Sequence, residues 1–140
     1  MKVLRLPHAA GLPTRATPGA AGLDLRAAED FVLVPGQRKL VPTGLVVALG
    51  PGFEGRICPR SGLALHHGIT VLNAPGILDA DYRGELKVLL INLGETLFEG
   101  RRGDRIAQLV IGPIWTGALE EVGELDTTQR SGGFGSTGKA

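Results

Sequence analysis

The chain has 140 residues, with 15 Lys and Arg against 14 Asp and Glu and a net charge of +1. This length fits one domain with its own core, and the near-neutral charge argues against a long polyanion such as DNA or RNA as a partner. Three histidines and a single cysteine exclude an internal disulfide and argue against a Zn²⁺ site of the usual ligand spacing. Residues 1–11 contain no apolar signal-peptide core, and we expect a cytoplasmic protein with no membrane segment.

Short strands dominate the predicted secondary structure. The 22 glycines and 9 prolines interrupt the sequence so often that few windows could hold three helical turns. Runs of β-branched and aliphatic residues between these breakers predict eight strands, at residues 2–6, 23–27, 31–35, 39–49, 52–58, 69–72, 86–93 and 106–114. Strands at this spacing predict an all-β sandwich or barrel.

One short helix is predicted at residues 61–66. Ser61 is a residue type that caps helices, and Gly68 is a residue type that ends them. Free N–H groups at the start of this helix, with Arg60 and Gly62 beside them, could hold a phosphate. The alternative is that Ser61 only caps the helix and Arg60 only covers surface.

Residues 73–84 separate two predicted strands and carry turn residues at both ends. They predict a hairpin with a wide, structured loop. The main-chain groups of such a loop could bind the edge of a small planar ligand, and Asp79 could act as a general base on a water molecule. The alternative is that Asp79 only makes the local hydrogen bonds that Asp makes in many loops.

Residues 130–140 are predicted to form a flexible arm that follows a β domain at residues 1–129. The arm is rich in glycine and has no branched aliphatic side chain, so burial alone cannot order it. Its N–H groups and the hydroxyls of Ser136 and Thr137 could surround a triphosphate, and Phe134 offers a face for stacking on a base. The alternative is a disordered tail without a role.

Five segments together resemble the trimeric deoxyuridine triphosphatase (dUTPase) family, in the order that the family has them. They are residues 17–27, 59–63, 73–84, 103–109, and Arg130 with residues 132–138. The resemblance implies a jelly-roll-like β fold, a homotrimer with active sites at the subunit junctions, and a C-terminal arm that closes over the substrate. It also implies Mg²⁺-dependent hydrolysis of dUTP to dUMP and pyrophosphate, which keeps uracil out of DNA and supplies dUMP for thymidylate synthesis.

The resemblance assigns a role to each matching residue. Asp79 is the base that activates water for attack on the α-phosphorus, and Asp24 contacts Mg²⁺ through water only. The residues that bind uracil and deoxyribose are Asn73, Gly76, Ile77, Leu78, Tyr82 and the main chain of Lys87. The residues that hold the phosphates are Arg60, Ser61, Gly62 and Gln108. The arm contributes Arg130, Phe134, Gly135, Ser136 and Thr137, although Arg130 and Phe134 are one residue closer together than is usual in the family.

Two other functions fit the same fold. A dCTP deaminase-like enzyme would carry a Gly-Phe-like pair after the hairpin Asp, where this chain has Asp81 and Tyr82. A non-catalytic trimeric nucleotide-binding protein would have lost the chemistry, whereas this chain retains Asp79 and Gln108. Both differences favour the dUTPase interpretation.

Overall fold

The structure is a computed structural model and describes residues 1–128. The predicted arm at residues 130–140 lies outside the described residues, and so do its candidate site residues, Arg130, Phe134, Gly135, Ser136 and Thr137. Within the described part, the chain forms ten strands and one helix. No helix between residues 1 and 128 is long and apolar enough to cross a bilayer.

The elements in chain order are β1 (Lys2–Arg5), β2 (Leu23–Arg26), β3 (Phe31–Leu33), β4 (Arg38–Ala48), β5 (Phe53–Cys58), α1 (Ser61–His67), β6 (Ile69–Val71), β7 (Gly76–Leu78), β8 (Leu86–Asn92), β9 (Phe98–Gly100) and β10 (Arg105–Pro113). All eight predicted strands are present, each within two residues of its predicted ends. The sequence pattern does not reveal β7 and β9, because each has a glycine among its three residues and so shows no run of β-branched and aliphatic residues.

Two four-stranded antiparallel sheets form the body of the molecule. Sheet I has the strand order β1-β4-β8-β6, and sheet II has the order β2-β10-β5-β7. Strands β3 and β9 pair as a separate ribbon. The predicted all-β, jelly-roll-like fold with at most one short helix is confirmed for the described residues.

The hydrophobic core takes side chains from both sheets. In β8, burial follows the two-residue period of a strand, so that Leu86, Val88 and Leu90 are buried and Lys87 is exposed. Sheet II contributes alternate residues in the same way, among them Leu25 and Leu109, which have no exposed surface. The outward-facing residues of these strands are therefore available to form a site.

The helix is confirmed, but its predicted cap is wrong. Ser61 is the first helical residue, and the capping position belongs to Arg60, which makes no side-chain capping hydrogen bond. The helix ends at Gly68 as predicted, with a left-handed φ of 66°. Glycine is required there, because a Cβ would lie 2.4 Å from the backbone nitrogen of Gly94.

Asn92 is a buried polar residue whose side chain joins the end of β3 to the loop between β8 and β9. Its side-chain amide donates to the carbonyls of Leu33 and Thr96, both at 2.9 Å, and its side-chain oxygen accepts from the N–H of Gly94 at 2.9 Å. The residue has no exposed surface. Loss of the side chain would leave two carbonyls and one N–H without their partners in a buried environment.

We expect Asn92→Leu to lower the free energy of unfolding by about 3 kcal/mol, because buried polar groups without partners cost more than the hydrogen bonds contributed. Urea unfolding monitored by circular dichroism measures the change. Thr96→Ala is the matched control, since Thr96 takes part through its main-chain carbonyl and should stay within about 0.5 kcal/mol of the parent. Equal stability of Asn92→Leu and the parent would contradict this role.

Candidate active site

The predicted hairpin is confirmed, although its connection is more than a wide loop. β6 pairs antiparallel with β8, with Ile69 opposite Asn92 and Val71 opposite Leu90. Between them the chain crosses to sheet II, where β7 pairs with β5 as the edge strand. One side of the β7 backbone therefore has no strand partner within residues 1–128, and its N–H and C=O groups are available to a ligand.

A cleft of about 460 Å³ opens beside β7. Its lining residues are Leu40, Ile57, Asn73, Gly76, Ile77, Leu78, Asp79, Tyr82, Glu85, Leu86 and Lys87. The structure thus brings together every residue that the family resemblance assigns to uracil, to deoxyribose and to the general base. The wall combines apolar side chains with polar ones, so it can bury a small planar ligand and also fix its orientation.

Asp79 directly follows β7 and is exposed at the cleft. Its main-chain carbonyl accepts from the N–H of Tyr82 at 3.2 Å, which closes a turn between the two residues. The hydroxyl of Tyr82 donates to the carbonyl of Glu85 at 3.2 Å. A Cβ at Gly84 would lie 2.3 Å from that hydroxyl oxygen, so the absence of a side chain at Gly84 leaves room for the ring.

The main chain of Lys87 faces away from β4. Lys87 lies opposite Pro42, which has no N–H and whose carbonyl accepts from Ala28 at 2.9 Å instead of from β8. The carbonyl of Leu89 accepts from the N–H of Leu72, on the β6 side. Backbone orientation repeats every second residue, so the N–H and C=O of Lys87 point to this same side, beyond the end of β6.

A second group of predicted site residues lies on sheet II. Gln108 on β10 is opposite Asp24 on β2 and opposite Cys58 on β5, so these three residues form one row across the sheet. Arg60 follows β5 by two residues and reaches the same end of the sheet. We call Asp24, Arg60, Arg105 and Gln108 the charged cluster.

Ion pairs organise the charged cluster. Asp24 is 7% exposed, and its two carboxylate oxygens lie 3.5 Å from Nε of Arg60 and 3.1 Å from Nη1 of Arg105. Nη1 of Arg60 also donates to the carbonyl of Arg105 at 2.9 Å. The planar guanidinium groups are thereby held in fixed orientations with donors left over, an arrangement suited to binding phosphate oxygens.

Gly22 gives the side chain of Gln108 the space that it occupies. A Cβ at Gly22 would lie 2.5 Å from Oε1 and 3.1 Å from Cβ of Gln108. The backbone of Gly22 does not adopt the left-handed conformation that favours glycine. The closest conflict is with Oε1 at the end of the Gln108 side chain, which can rotate away, and the contact with Cβ requires a shift of only a few tenths of an ångström.

The family resemblance assigns Gln108 to the phosphates, and on that assignment we expect Gly22→Ala to lower kcat/KM for the substrate about 10- to 100-fold while the melting temperature stays nearly unchanged, because a displacement of a binding group by about 1 Å costs activity in this range. Combined with Gln108→Ala, the substitution should add little further loss, since both changes remove the same interaction. Gly19→Ala is the matched control, because a Cβ there meets no atom within 4 Å. Additive losses in the double variant would contradict the proposed contact.

The charged cluster and the cleft have no residue in common. Leu25, Leu109 and Ile57 face the core, and Ile57 also lines the cleft. Asp24, Gln108 and Cys58 alternate with these residues along their strands and so belong to the opposite face. Ile77, opposite Arg56 on β5, lines the cleft from this same outer face, so the cleft lies at the edge of sheet II. Within residues 1–128, no hydrogen bond or ion pair joins Asp79 to the charged cluster.

Glu85 is the titratable group at the cleft whose pKa departs clearly from its ordinary value. Burial alone would raise the pKa of Glu85, but hydrogen bonds from the His8 ring and the Gly44 N–H, with the charges of His8 and Lys87, outweigh burial and lower that pKa below 4.5. The folded protein thus binds a proton at Glu85 less readily than the unfolded chain does. Its stabilising contribution is fully present above pH 4.5 and is lost as the pH falls through the lowered pKa.

We accordingly expect Glu85→Gln to unfold more easily than the parent at pH 6 to 7, with the difference shrinking as the pH falls below 4.5 and through the lowered pKa of Glu85. Urea unfolding across this pH range measures the difference. Glu95→Gln, at an exposed position, should show no such pH dependence. A difference in stability that stays constant with pH would mean that the charge of Glu85 contributes nothing.

The fold adds several residues to the site that the sequence does not indicate. Leu40 and Ile57 join the cleft from distant strands, and no local pattern in the sequence points to them. Glu85 directly follows the predicted 73–84 segment, and this adjacency is the one signal for it. Arg105 lies within a segment that resembles the family but has no predicted role, although it pairs with Asp24.

Comparisons with known proteins identify the family to which this chain belongs. The family model for dUTPase matches residues 8–138. The deoxyuridine 5'-triphosphate nucleotidohydrolase of Methylocella silvestris is 57% identical to this chain over 145 residues, covering 99% of this chain and 91% of that protein.

Two solved structures have the same fold. A variant of the dUTPase of Staphylococcus bacteriophage 80alpha, determined with dUpNHpp, matches with a TM-score of 0.87 and 29% identity, covering 98% of this chain and 97% of that chain. A variant of the dUTPase of phage phi11 of S. aureus, whose structure concerns the coordination of a structural Mg(II) ion, matches with a TM-score of 0.81 and 27% identity, covering 88% and 96% of the two chains. The chain described here belongs to the dUTPase family.

Proposed function

We propose that this protein is a dUTP diphosphatase that hydrolyses dUTP to dUMP and pyrophosphate, with Asp79 as the general base. The observation that carries the proposal is the cleft, in which Asp79 lies with Asn73, Tyr82 and the β7 backbone. A carboxylate at this position can take a proton from water as the water attacks the α-phosphorus. Family membership supports this chemistry over the deaminase and non-catalytic alternatives.

The cleft binds uracil and deoxyribose. The free edge of β7, from Gly76 to Leu78, and the main chain of Lys87 offer a fixed pattern of donors and acceptors, which rejects cytosine because its exocyclic edge is inverted. A tight fit of the base beside Ile77 excludes the methyl group of thymine. The Tyr82 ring packs against the sugar and excludes a ribose 2′-hydroxyl.

The charged cluster binds the triphosphate. Arg60 presents a guanidinium oriented by Asp24, and Gln108 adds an amide beside it. Ser61 and Gly62, at the start of α1, are exposed and add a hydroxyl and main-chain N–H groups. Oriented donors of this kind stabilise the charge that develops when the bond to pyrophosphate breaks.

The donor set fits a Mg²⁺ ion that the substrate itself brings. Within residues 1–128, no group of three or more His, Cys, Asp or Glu side chains could hold a metal directly. Asp24 is the carboxylate in the charged cluster, and both of its oxygens already contact arginines, so it would contact the ion only through water. When bound, Mg²⁺ would neutralise phosphate charge, and it commonly keeps several waters in such sites.

Active sites form between the subunits of a homotrimer. The separation of the two groups supports this, because the charged cluster lines no part of the cleft and no hydrogen bond or ion pair joins it to Asp79 within residues 1–128. Apolar surface supports association as well: Trp115, Leu119 and Leu125 are 71%, 92% and 81% exposed in the single chain. Association with another chain would remove this apolar surface from water.

The proposal also gives a role to residues 130–140, which lie outside the described part of the chain. The arm at residues 130–140 closes over bound dUTP, with Phe134 stacking on uracil and with Arg130, Gly135, Ser136 and Thr137 meeting the phosphates. A glycine-rich arm can serve as a lid because it orders only when ligand contacts offset its conformational entropy.

Incubation of the purified protein with Mg²⁺ and either dUTP or dCTP tests the function, with nucleotides and pyrophosphate separated by ion-exchange chromatography. The proposal expects dUMP and pyrophosphate from dUTP in equal amounts and slow reaction with dCTP. Formation of dUTP from dCTP would instead identify a deaminase. Binding of dUTP without any product would identify a non-catalytic protein.

A further inference from the structure

The carboxylate of Glu85 connects separate segments of the chain beside the cleft. Its Oε1 lies 2.8 Å from Nε2 of His8 and accepts from the N–H of Gly44 at 2.8 Å. Its Oε2 lies 3.9 Å from Nζ of Lys87. The side chain is 17% exposed, so one largely buried carboxylate joins the N-terminal segment and strand β4 to the start of β8.

These contacts depend on a bulge in β4. The register between β4 and β8 shifts between Pro42 and Leu45, and Gly44 within the bulge has a left-handed φ of 70°. A Cβ on Gly44 would lie 2.5 Å from Cα of Ala9, so the N-terminal segment passes directly over the bulge. The carbonyl of Gly44 accepts from the N–H of Leu6 at 2.8 Å.

The N-terminal segment is held from a second direction. Nη2 of Arg102 donates to the main-chain carbonyls of His8 and Ala9, at 3.3 and 3.0 Å. His8 therefore presents its ring to Glu85 from a backbone that is fixed at both Gly44 and Arg102. The bulge, the segment and the carboxylate form one packed unit next to the cleft.

We propose that Glu85 is a positioning residue for nucleotide recognition, which fixes the Tyr82–Lys87 wall of the cleft through its contacts with His8 and Gly44. The inference rests on the proposed dUTP hydrolysis. Tyr82 donates its hydroxyl to the carbonyl of Glu85, so the placement of Glu85 sets the placement of the ring that packs on the sugar. Lys87, two residues on, presents the main-chain groups that meet the base.

This role is separate from the chemistry. Asp79 lies at the other end of the segment, after β7, and none of the hydrogen bonds or ion pairs of Glu85 includes it within residues 1–128. Loosening of the Tyr82–Lys87 wall should therefore affect binding of base and sugar more than turnover. Discrimination between dUTP and UTP should fall most, because it depends on how closely the Tyr82 ring approaches the sugar.

The test measures kcat and KM for dUTP and for UTP in Glu85→Ala, Glu85→Gln and His8→Ala. We expect Glu85→Ala to raise KM for dUTP about tenfold with kcat within about twofold, the signature of lost substrate binding. We expect its preference for dUTP over UTP, as a ratio of kcat/KM values, to fall about tenfold. Glu85→Gln, which can still accept from Gly44, should recover most of that preference, and His8→Ala should lose about threefold.

Glu95→Ala is the matched control, because Glu95 is exposed and lies away from the cleft; its constants should equal those of the parent. Melting temperatures separate general destabilisation from positioning, since a merely structural role would not change the ratio of dUTP to UTP. An unchanged ratio in folded Glu85→Ala overturns the inference. If that variant does not fold, an unchanged ratio in His8→Ala overturns it. A parent protein that does not hydrolyse dUTP overturns the proposed function instead.

Discussion

Replacement of Asp79 with Asn is expected to lower kcat for dUTP by at least about 100-fold, since a positioned general base contributes about 10²- to 10⁴-fold to such reactions. The amide keeps the shape of the carboxylate but cannot take a proton from water near neutral pH. Because Asp79 follows the buried residue Leu78 and is itself exposed, the substitution should leave the fold intact. Steady-state release of pyrophosphate measures the loss.

Binding provides the control for Asp79→Asn. Titration with dUpNHpp should give a dissociation constant within about threefold of the parent, because the variant loses a step of the chemistry and not the binding surface. Asp81→Asn, an exposed carboxylate two residues away, should retain normal turnover. Activity of Asp79→Asn within about tenfold of the parent, equal to about 1.4 kcal/mol in the barrier, would remove Asp79 as the base.

Two inactive variants are expected to restore activity when their subunits are mixed. Asp79→Asn damages the cleft, and Arg60→Ala damages the charged cluster. If each site combines the cleft of one chain with the charged cluster of another, random trimers of the two variants in equal amounts contain intact sites at about one quarter of the positions. Co-refolding from urea, followed by the pyrophosphate assay, measures the recovered activity.

A second mixture distinguishes active sites shared between chains from active sites within one chain. The double variant Asp79→Asn, Arg60→Ala mixed equally with the parent should give about one quarter of the parent activity if sites lie between chains, but about one half if each site lies within one chain. Sites within single chains would also leave the mixture of the two single variants inactive. Sedimentation of each mixture confirms that trimers have formed. Absence of recovered activity in co-refolded trimers would contradict the proposal that active sites are shared between chains.

The strands that the sequence reveals carry runs of β-branched and aliphatic residues, and this holds even for β3 and β6, which have three residues each. β8 alternates buried and exposed residues over seven positions, and its predicted bounds agree with the structure within one residue. β7 has three residues and forms because β5, on the far side of α1 and β6 in the chain, pairs with it, which propensity cannot indicate. The predicted cap of α1 is wrong for a similar reason, since the residue type favours Ser61 but the chain path makes Arg60 the boundary.

The residues of the site also fall into two groups, those that the sequence places together and those that only the fold places together. Asp79, Asn73 and Tyr82 share one segment, so a single motif in the sequence is enough to place them together. Asp24 and Gln108 belong to separate motifs, and only the register of β2 and β10 shows them as neighbours. Glu85 lies beside a motif of the family, yet its importance depends on a bulge in β4 and on the N-terminal segment, which are distant in sequence.

The position of β8 between β4 and β6 has a consequence for the dynamics of the cleft. Strand neighbours flank β8 on both sides, and Val88 and Leu90 have no exposed surface. A central strand of this kind separates from its sheet only in openings that approach global unfolding. The main chain of Lys87, which we propose meets the base, belongs to this strand, so its recognition of the base should lose little entropy to the ordering of the β8 backbone.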